Sequence, residues 1–222
     1  MVKAAAASVG TVTDWPTIAS LATAGGTLVL ATATFASVRS ANRAARVAER
    51  ALLTGLRPLL VPSRLQDPEQ KVMFVDDKAL HVPGGEAATD VTDTGVYLAL
   101  SLHNAGTGLA VLHGWHFYPE RRTTEPQHPD TELFRRLTRD LYIAAGEVGF
   151  WQGAYRDPEA EEFRAAAAAI TAGAPFTIDI LYGDQEGGQR MISRFSMQAR
   201  RDRPGWIASV GRHWNLDRGN PR

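Results

Sequence analysis

The sequence predicts a mainly β protein in two unequal parts: an N-terminal transmembrane helix with a helical stem, then an antiparallel β-sandwich-like domain with one accessory helix. Three observations predict it. No charged residue occurs for 24 positions between Asp14 and Arg39. The following text, SANRAARVAERALLTGL, keeps helix-forming residues but gains arginines. From Pro58 the chain changes to short apolar runs broken by Pro, Gly and Asp, the pattern of strands and turns.

The charge-free run is read as a helix over residues 17–38, with Pro16 at a first turn that has no use for its missing N–H. At about 1.5 Å per residue it reaches roughly 33 Å, enough for a hydrocarbon core of about 30 Å. Its strong apolar residues are few: Ile18, Leu21, Leu28, Val29, Leu30, Phe35 and Val38, set among Ala, Thr and the pair Gly25-Gly26. Each contributes only about −0.3 to −0.6 kcal/mol to insertion, whereas one central charge costs about 2.5 to 3.5 kcal/mol. Absence of charge therefore matters more than greasiness. Threonines 17, 23, 27, 32 and 34 are expected to return their hydroxyls to carbonyls one turn back, which makes them tolerable in lipid.

Orientation follows from the flanks. Arg39, Arg43, Arg46, Arg50 and Arg57 follow the span, while Lys3 and Asp14 precede it. The excess of arginine predicts a cell-membrane, single-pass topology. Residues 1–16 form a short extracytoplasmic N-terminus, 17–38 the span, 39–57 a cytoplasmic basic helical stem and 58–222 a cytoplasmic domain. Trp15 then sits at the outer interface. Two other readings of the run are a secretory signal peptide, with small-residue sites at Ala31-Thr-Ala33 and Thr34-Phe-Ala36, and a buried helix of a soluble core.

In the stem, Arg39, Arg43, Arg46 and Arg50 are spaced to project from one side, where anionic lipid headgroups are possible partners. Ala41, Ala45, Ala48 and Leu52 line another side. Ala22 with Gly26, and Ser20 with Ala24, have the small-residue spacing that permits a homodimer. Gly55 and Pro58 end the helix.

In the domain, Leu59–Val61 and Val72–Val75 read as first strands. In GVYLALSLHNAG, Val96, Leu98, Leu100 and Leu102 alternate with Tyr97, Ala99, Ser101 and His103, the period-two burial of a strand. Residues 104–108 read as a hairpin turn with glycines free for positive φ, and Leu109–Tyr118 as the antiparallel partner. Residues 131–137 read as a helical turn or irregular edge, and 140–143 and 148–151 as further strand. The accessory helix is placed by Asp157 as N-cap, Pro158 at N1, Glu159, Glu161 and Glu162 in its first turn, and Gly173 beyond its end. After Pro175, three runs separated by Gly187-Gly188 and Arg203-Pro204-Gly205 form a meander. Seven or eight strands over this length suggest a sandwich, with the five tryptophans and eight phenylalanines of the chain available to its core.

Several of these segments together resemble a group of uncharacterised bacterial, chiefly actinobacterial, single-pass membrane proteins. The resemblance is carried by the Ala/Thr-rich span, the arginine-studded stem, Leu-Arg-Pro at 56–58, LSLHNAGTGLAVLHGW at 100–115, GFWQGAYRD at 149–157, LYGDQEGGQRMISRF at 181–195 and RHWNLDR at 212–218. It implies a membrane-anchored β domain and no particular catalytic residue.

Composition narrows the chemistry. There is no cysteine, which excludes thiol nucleophiles, disulfides and cysteine-ligated metal. The formal charge is zero. It is distributed as +4 over residues 1–57, −10 over 58–189 and +6 over 190–222. The basic tail (Arg200, Arg201, Arg203, Arg212, Arg218, Arg222 with Trp206 and Trp214) superficially resembles a nucleic-acid surface. The balance of −4 over residues 58–222 disfavours a phosphate polymer, leaving anionic lipid or acidic groups of the same fold as partners.

For a metal, His113, His116 and His213 are the candidates. On a regular strand 113 and 116 face opposite sides, so sharing an ion requires a bulge at Gly114. Asp179, Asp184 and Glu186 with Arg190 or Arg194 are the carboxylate and anion-binding candidates. No phosphate loop or dinucleotide fingerprint is present, and Ser101, Ser193, Ser196 and Ser209 lack a nucleophile elbow. Catalytic, cofactor-binding and metal residues are therefore not assigned. The sequence favours a membrane-tethered interaction or scaffolding domain that binds a protein partner, with a membrane-associated metal-dependent hydrolase using His113, His116 or His213 as the alternative.

Overall fold

The computed structural model describes residues 14–123 and 127–217, without the side chains of Arg50, Leu53 and Thr54. The expectations placed on Lys3, on the Arg50 side chain, and on Arg218 and Arg222 lie outside the described residues. The chain divides into two units, split after Ala51.

The span and stem are one uninterrupted helix, α1 (Trp15–Gly55). It ends at the predicted glycine. Its stretch Trp15–Glu49 is long and apolar enough to cross a membrane, and none of its most apolar window is buried. Leu21, Leu28, Val29, Leu30 and Phe35 are all about two-thirds exposed, so the reading as a buried core helix does not hold. The hydroxyls of Thr23, Thr27 and Thr34 donate to the carbonyls of Ala19, Thr23 and Leu30 at 2.7–2.9 Å, and that of Thr32 to Val29. These local bonds satisfy the threonine oxygens without any partner helix. Thr17, in the first turn, has no helical carbonyl behind it; its own carbonyl receives Ser20 Oγ instead.

The second unit is a curled antiparallel sheet. Its strands are β1 (Leu60–Pro62), β2 (Gln70–Met73), β3 (Ala79–Val82), β4 (Glu86–Val91), β5 (Val96–Asn104), β6 (Ala110–Tyr118), β7 (Arg135–Ile143), β8 (Val148–Tyr155), β9 (Phe176–Gly183), β10 (Met191–Ala199) and β11 (Trp206–Asn215). The order is β1-β5-β4-β11-β10-β9-β6-β7, with β8 on β5 and β2–β3 as a separate pair. The predicted meander β9-β10-β11 is present. A 3-10 turn at Thr131–Leu133 falls in the segment read as a helical turn or irregular edge, but β7 begins at Arg135, earlier than the strand expected from residue 140.

Residues 104–108 do not make the predicted hairpin. β6 pairs with β7 and β9, and β5 with β1, β4 and β8. The segment instead carries the chain from one part of the sheet to another. Nor do its glycines adopt positive φ. They are needed for close approach: a Cβ on Gly106 would meet the backbone of Arg57–Leu59, and one on Gly108 the carbonyl of Leu56. Asn104, fully buried, organises this crossing. Its Oδ1 accepts from Leu59 N and Gly106 N, and its Nδ2 donates to Gly108 O and Ile143 O.

The period-two expectation for β5 also needs revision, since both faces are buried. Leu98, Leu100 and Leu102 enter the main core. Tyr97 and Ala99 are covered by Val72, Phe74, Leu80 and Val82 of the β2–β3 hairpin. β3 and β4 have too few large apolar residues to announce themselves in sequence. The main core is aromatic, with Trp115 edge-on to Trp151 and Tyr155 at 5.3 and 5.0 Å, and Phe176 against Trp206 at 4.6 Å.

The accessory helix, α2 (Glu161–Thr171), starts later than predicted, with Ala160 as N-cap. Asp157 instead stabilises the preceding turn, its Oδ1 accepting from Glu159 N. Gly173 takes φ 64° as its position beyond the helix requires. Phe163, Ala166 and Ala169 bury the helix face.

Candidate functional site

The histidines do not converge. In antiparallel pairing, opposed residues share a face. His116 opposes Asp179, which opposes Arg194, whereas His213 opposes Ser193, which opposes Ile180. His116 and His213 therefore lie on opposite faces. The expected bulge does occur in β6, between Leu112 and Gly114, but His113 is exposed on it and His116 Nδ1 lies 3.0 Å from Leu133 O. Among the described residues no group of three His, Cys, Asp or Glu side chains is placed to hold a metal.

His213 has another use. Its Nδ1 is 2.6 Å from Ser193 Oγ, which is 2.8 Å from Tyr182 OH, and that hydroxyl receives Leu60 N. A serine beside a histidine is half of a nucleophilic pair, yet Ser193 is wholly buried and no substrate reaches it. The chain of bonds ties the start of the domain to β9, β10 and β11.

The carboxylate candidates separate as well. Asp179 and Arg194 form a bidentate pair, Nε to Oδ1 at 2.8 Å and Nη2 to Oδ2 at 2.7 Å. The guanidinium also lies over Trp214 and Tyr118. Arg190 is clasped by Asp217, whose carboxyl is held below the usual range by that hydrogen bond. Asp184 Oδ1 accepts Gly188 N in the predicted turn. A cleft of about 790 Å³ borders His113, Asp140, Arg136 and Arg190. Although the His113 side chain keeps an exposed edge, partial desolvation against the cleft wall and then Arg190 lower its pKa. None of the buried side-chain atoms that lack a hydrogen-bond partner belongs to its lining.

A second cleft, of about 620 Å³, is different. It opens where β4 and β11 part after pairing at Ala87–Trp206 and Glu86–Ile207. Its walls come from the β2–β3 hairpin, the end of α2 and the β10–β11 loop. Glu86, 2% exposed, lies in this wall. Its Oε1 accepts from Arg200 Nη1 at 2.7 Å and Arg203 Nη2 at 2.5 Å. Its Oε2 is buried without a hydrogen-bond partner. Arg200 is fixed from behind by Asp202 at 2.6 and 2.9 Å, and Trp206 Nε1 donates to Thr89 Oγ1.

Sequence reasoning grouped Arg200, Arg203 and Trp206 as a basic and aromatic tail, and two of those arginines do serve an acid of the same fold. It missed Glu86 because the acid lies over a hundred residues away in a strand that was not recognised. The only available signal was a lone Glu immediately after Pro-Gly-Gly. Comparison with family models, curated proteins and solved structures finds no match for this chain.

Proposed function

We propose that the chain is a single-pass membrane protein whose β domain serves as a binding module on the cytoplasmic side. The observation that carries this reading is α1: its stretch from Trp15 to Glu49 satisfies the length and apolarity of a membrane span while its apolar side chains have no protein cover. Lipid is the solvent that such a surface suits. Arg39, Arg43, Arg46 and Arg50, all after the span, support the cytoplasmic orientation and offer contacts to anionic headgroups. The Ala22/Gly26 spacing offers a second copy a close helix contact. The segments quoted above support placement beside the actinobacterial single-pass proteins they resemble.

A binding rather than catalytic role is supported by what became of the candidate groups: one histidine half-buried and bonded to a buried serine, the best acid–arginine pair buried within the sheet, and a cleft built around an incompletely bonded acid. The test is protease treatment of right-side-out and inverted vesicles carrying the chain with a C-terminal tag. Loss of the tag only in inverted vesicles is expected. A soluble product shortened near residue 36 would overturn the anchor in favour of a cleaved leader.

A further inference from the structure

β7 and β8 follow one another through a tight turn at residues 144–147 but do not pair. β7 lies on β6 and β8 on β5, because the backbone of Asn104 takes the turn for itself, accepting from Gly146 N and donating to Glu147 O. The two strands therefore flank an open seam. β7 also bulges: Gly114 opposes Arg136 and Leu112 opposes Leu141, so residues 137–140 swing out and Thr138 and Arg139 are exposed. The lining of this seam includes Arg135, Arg136, Arg139 and Arg156 and no carboxylate. Arg156 is neutralised by Asp76 at 3.1 Å. Arg135, Arg136 and Arg139 form no ion pair among the described residues, and Asp140 lines the other cleft. Three uncompensated cations within five positions stand out in residues 58–189, whose net charge is −10.

The guanidiniums are spread, not convergent. That of Arg135 lies 5.0 Å from the centre of the Tyr155 ring and that of Arg139 6.0 Å from Phe150. Those rings are five residues apart on β8, about 17 Å along a strand. Stacking holds a guanidinium plane and leaves its edge N–H groups for an anion. One small anion cannot span such a distance, and the seam itself encloses only about 50 Å³, well below the roughly 300 Å³ at which small-molecule sites begin. The complement is an extended anionic surface. A phosphate polymer is disfavoured by the balance of −4 over residues 58–222. A protein interface wants an apolar centre, whereas Tyr155, 7% exposed, is already capped by Arg135. An anionic leaflet asks only for spaced cations, and a tether within Trp15–Glu49 keeps that leaflet at high effective concentration. We propose that the β7–β8 face docks on the anionic leaflet of the membrane that holds the chain, with Arg135, Arg136 and Arg139 meeting lipid phosphates. The proposal rests on the anchor reading and adds a second, reversible membrane contact made by the domain.

The chain has no cysteine, so a single introduced one can carry a probe. The full chain with Thr138→Cys, labelled with a nitrobenzoxadiazole dye, is incorporated into phosphatidylcholine nanodiscs that contain a headgroup-spin-labelled lipid, with or without phosphatidylglycerol. Quenching of the dye is expected with phosphatidylglycerol, and is expected to fade without it and in high salt. A dye on Ala172→Cys, exposed beyond the end of α2, stays unquenched. Arg136→Gln and Arg139→Gln each lower the ratio of docked to free domain about fivefold. Arg136 makes no hydrogen bond or ion pair among the described residues, so its replacement keeps the test valid if Arg139→Gln disturbs the contact with Gln152. Quenching indifferent to phosphatidylglycerol, equal quenching at Ala172, or indifference to both arginine variants would overturn the proposal. So would shielding of the Thr138 dye by polyglutamate in discs where the anionic lipid has no effect, which gives the face to an acidic protein. Co-elution with pure phosphatidylcholine discs separates the two readings: incorporation without quenching in either lipid removes only the docking, and failure to incorporate removes the anchor.

Discussion

Asp179 and Glu86 are buried to nearly the same degree, at 0% and 2% exposure, and their surroundings treat them oppositely. Asp179 sits mid-strand between β6 and β10 and meets one guanidinium fork with both oxygens. Glu86 sits where β4 and β11 part and gives one oxygen to two arginines and the other to none. A continuous sheet holds its neighbours at fixed spacing and lets an ion pair complete itself. A parting sheet leaves room for something else to complete it. Burial alone therefore does not distinguish a carboxylate whose two oxygens are both bonded from one that uses a single oxygen.

The sharpest way to break this contrast is Asp179→Ala. It removes the carboxylate that both arms of the buried Arg194 guanidinium engage, and the expected loss is about 3–5 kcal/mol in urea unfolding. Replacing both partners, Asp179→Leu with Arg194→Met, is expected to recover most of that loss, because the cost lies in the stranded charge. Glu86→Gln should cost less, about 1.5 kcal/mol or below, since Arg200 keeps Asp202 and Arg203 reaches solvent. A Glu86→Gln loss as large as that of Asp179→Ala would make both acids architectural and remove the distinction.

How much of this was legible in the sequence depended on the range of the interactions involved. The helix α1 was read almost to its last residue because a charge-free run, an arginine flank and Gly55 are all local signals. The β9-β10-β11 meander was equally local, with Gly187 and Gly205 marking its reversals. The partner of β5 was not. Residues 104–108 have the composition of a hairpin turn, but Asn104 binds Leu59, 45 residues earlier, and Ile143, 39 residues later, so its role is set by chain it does not adjoin. The burial of Tyr97 and Ala99 likewise depends on the β2–β3 hairpin. The Glu86 cleft combined both difficulties, joining a weakly apolar strand to a loop 114 residues away.

A third polar cluster, at His213, lies between the two extremes and gives the smallest expected effect. Its Nδ1 is bonded to buried Ser193, and burial together with Arg57 pushes its pKa below the ordinary imidazole value. Above about pH 6.5, where an unfolded histidine titrates, both states are neutral and the cluster contributes fully. As pH falls through that value the unfolded chain takes up a proton that the folded imidazole still refuses, so stability declines until the folded group titrates too. Asp76, Asp202 and Asp217, all lowered in the fold, lose their contributions at more acid pH and do not confuse this window. His113 is shifted in the same direction, so the informative quantity is the difference between the wild-type chain and His213→Asn. Urea unfolding between about pH 7 and pH 5 should show a shallower decline for the variant. An identical slope would mean that His213 keeps its proton equilibrium on folding.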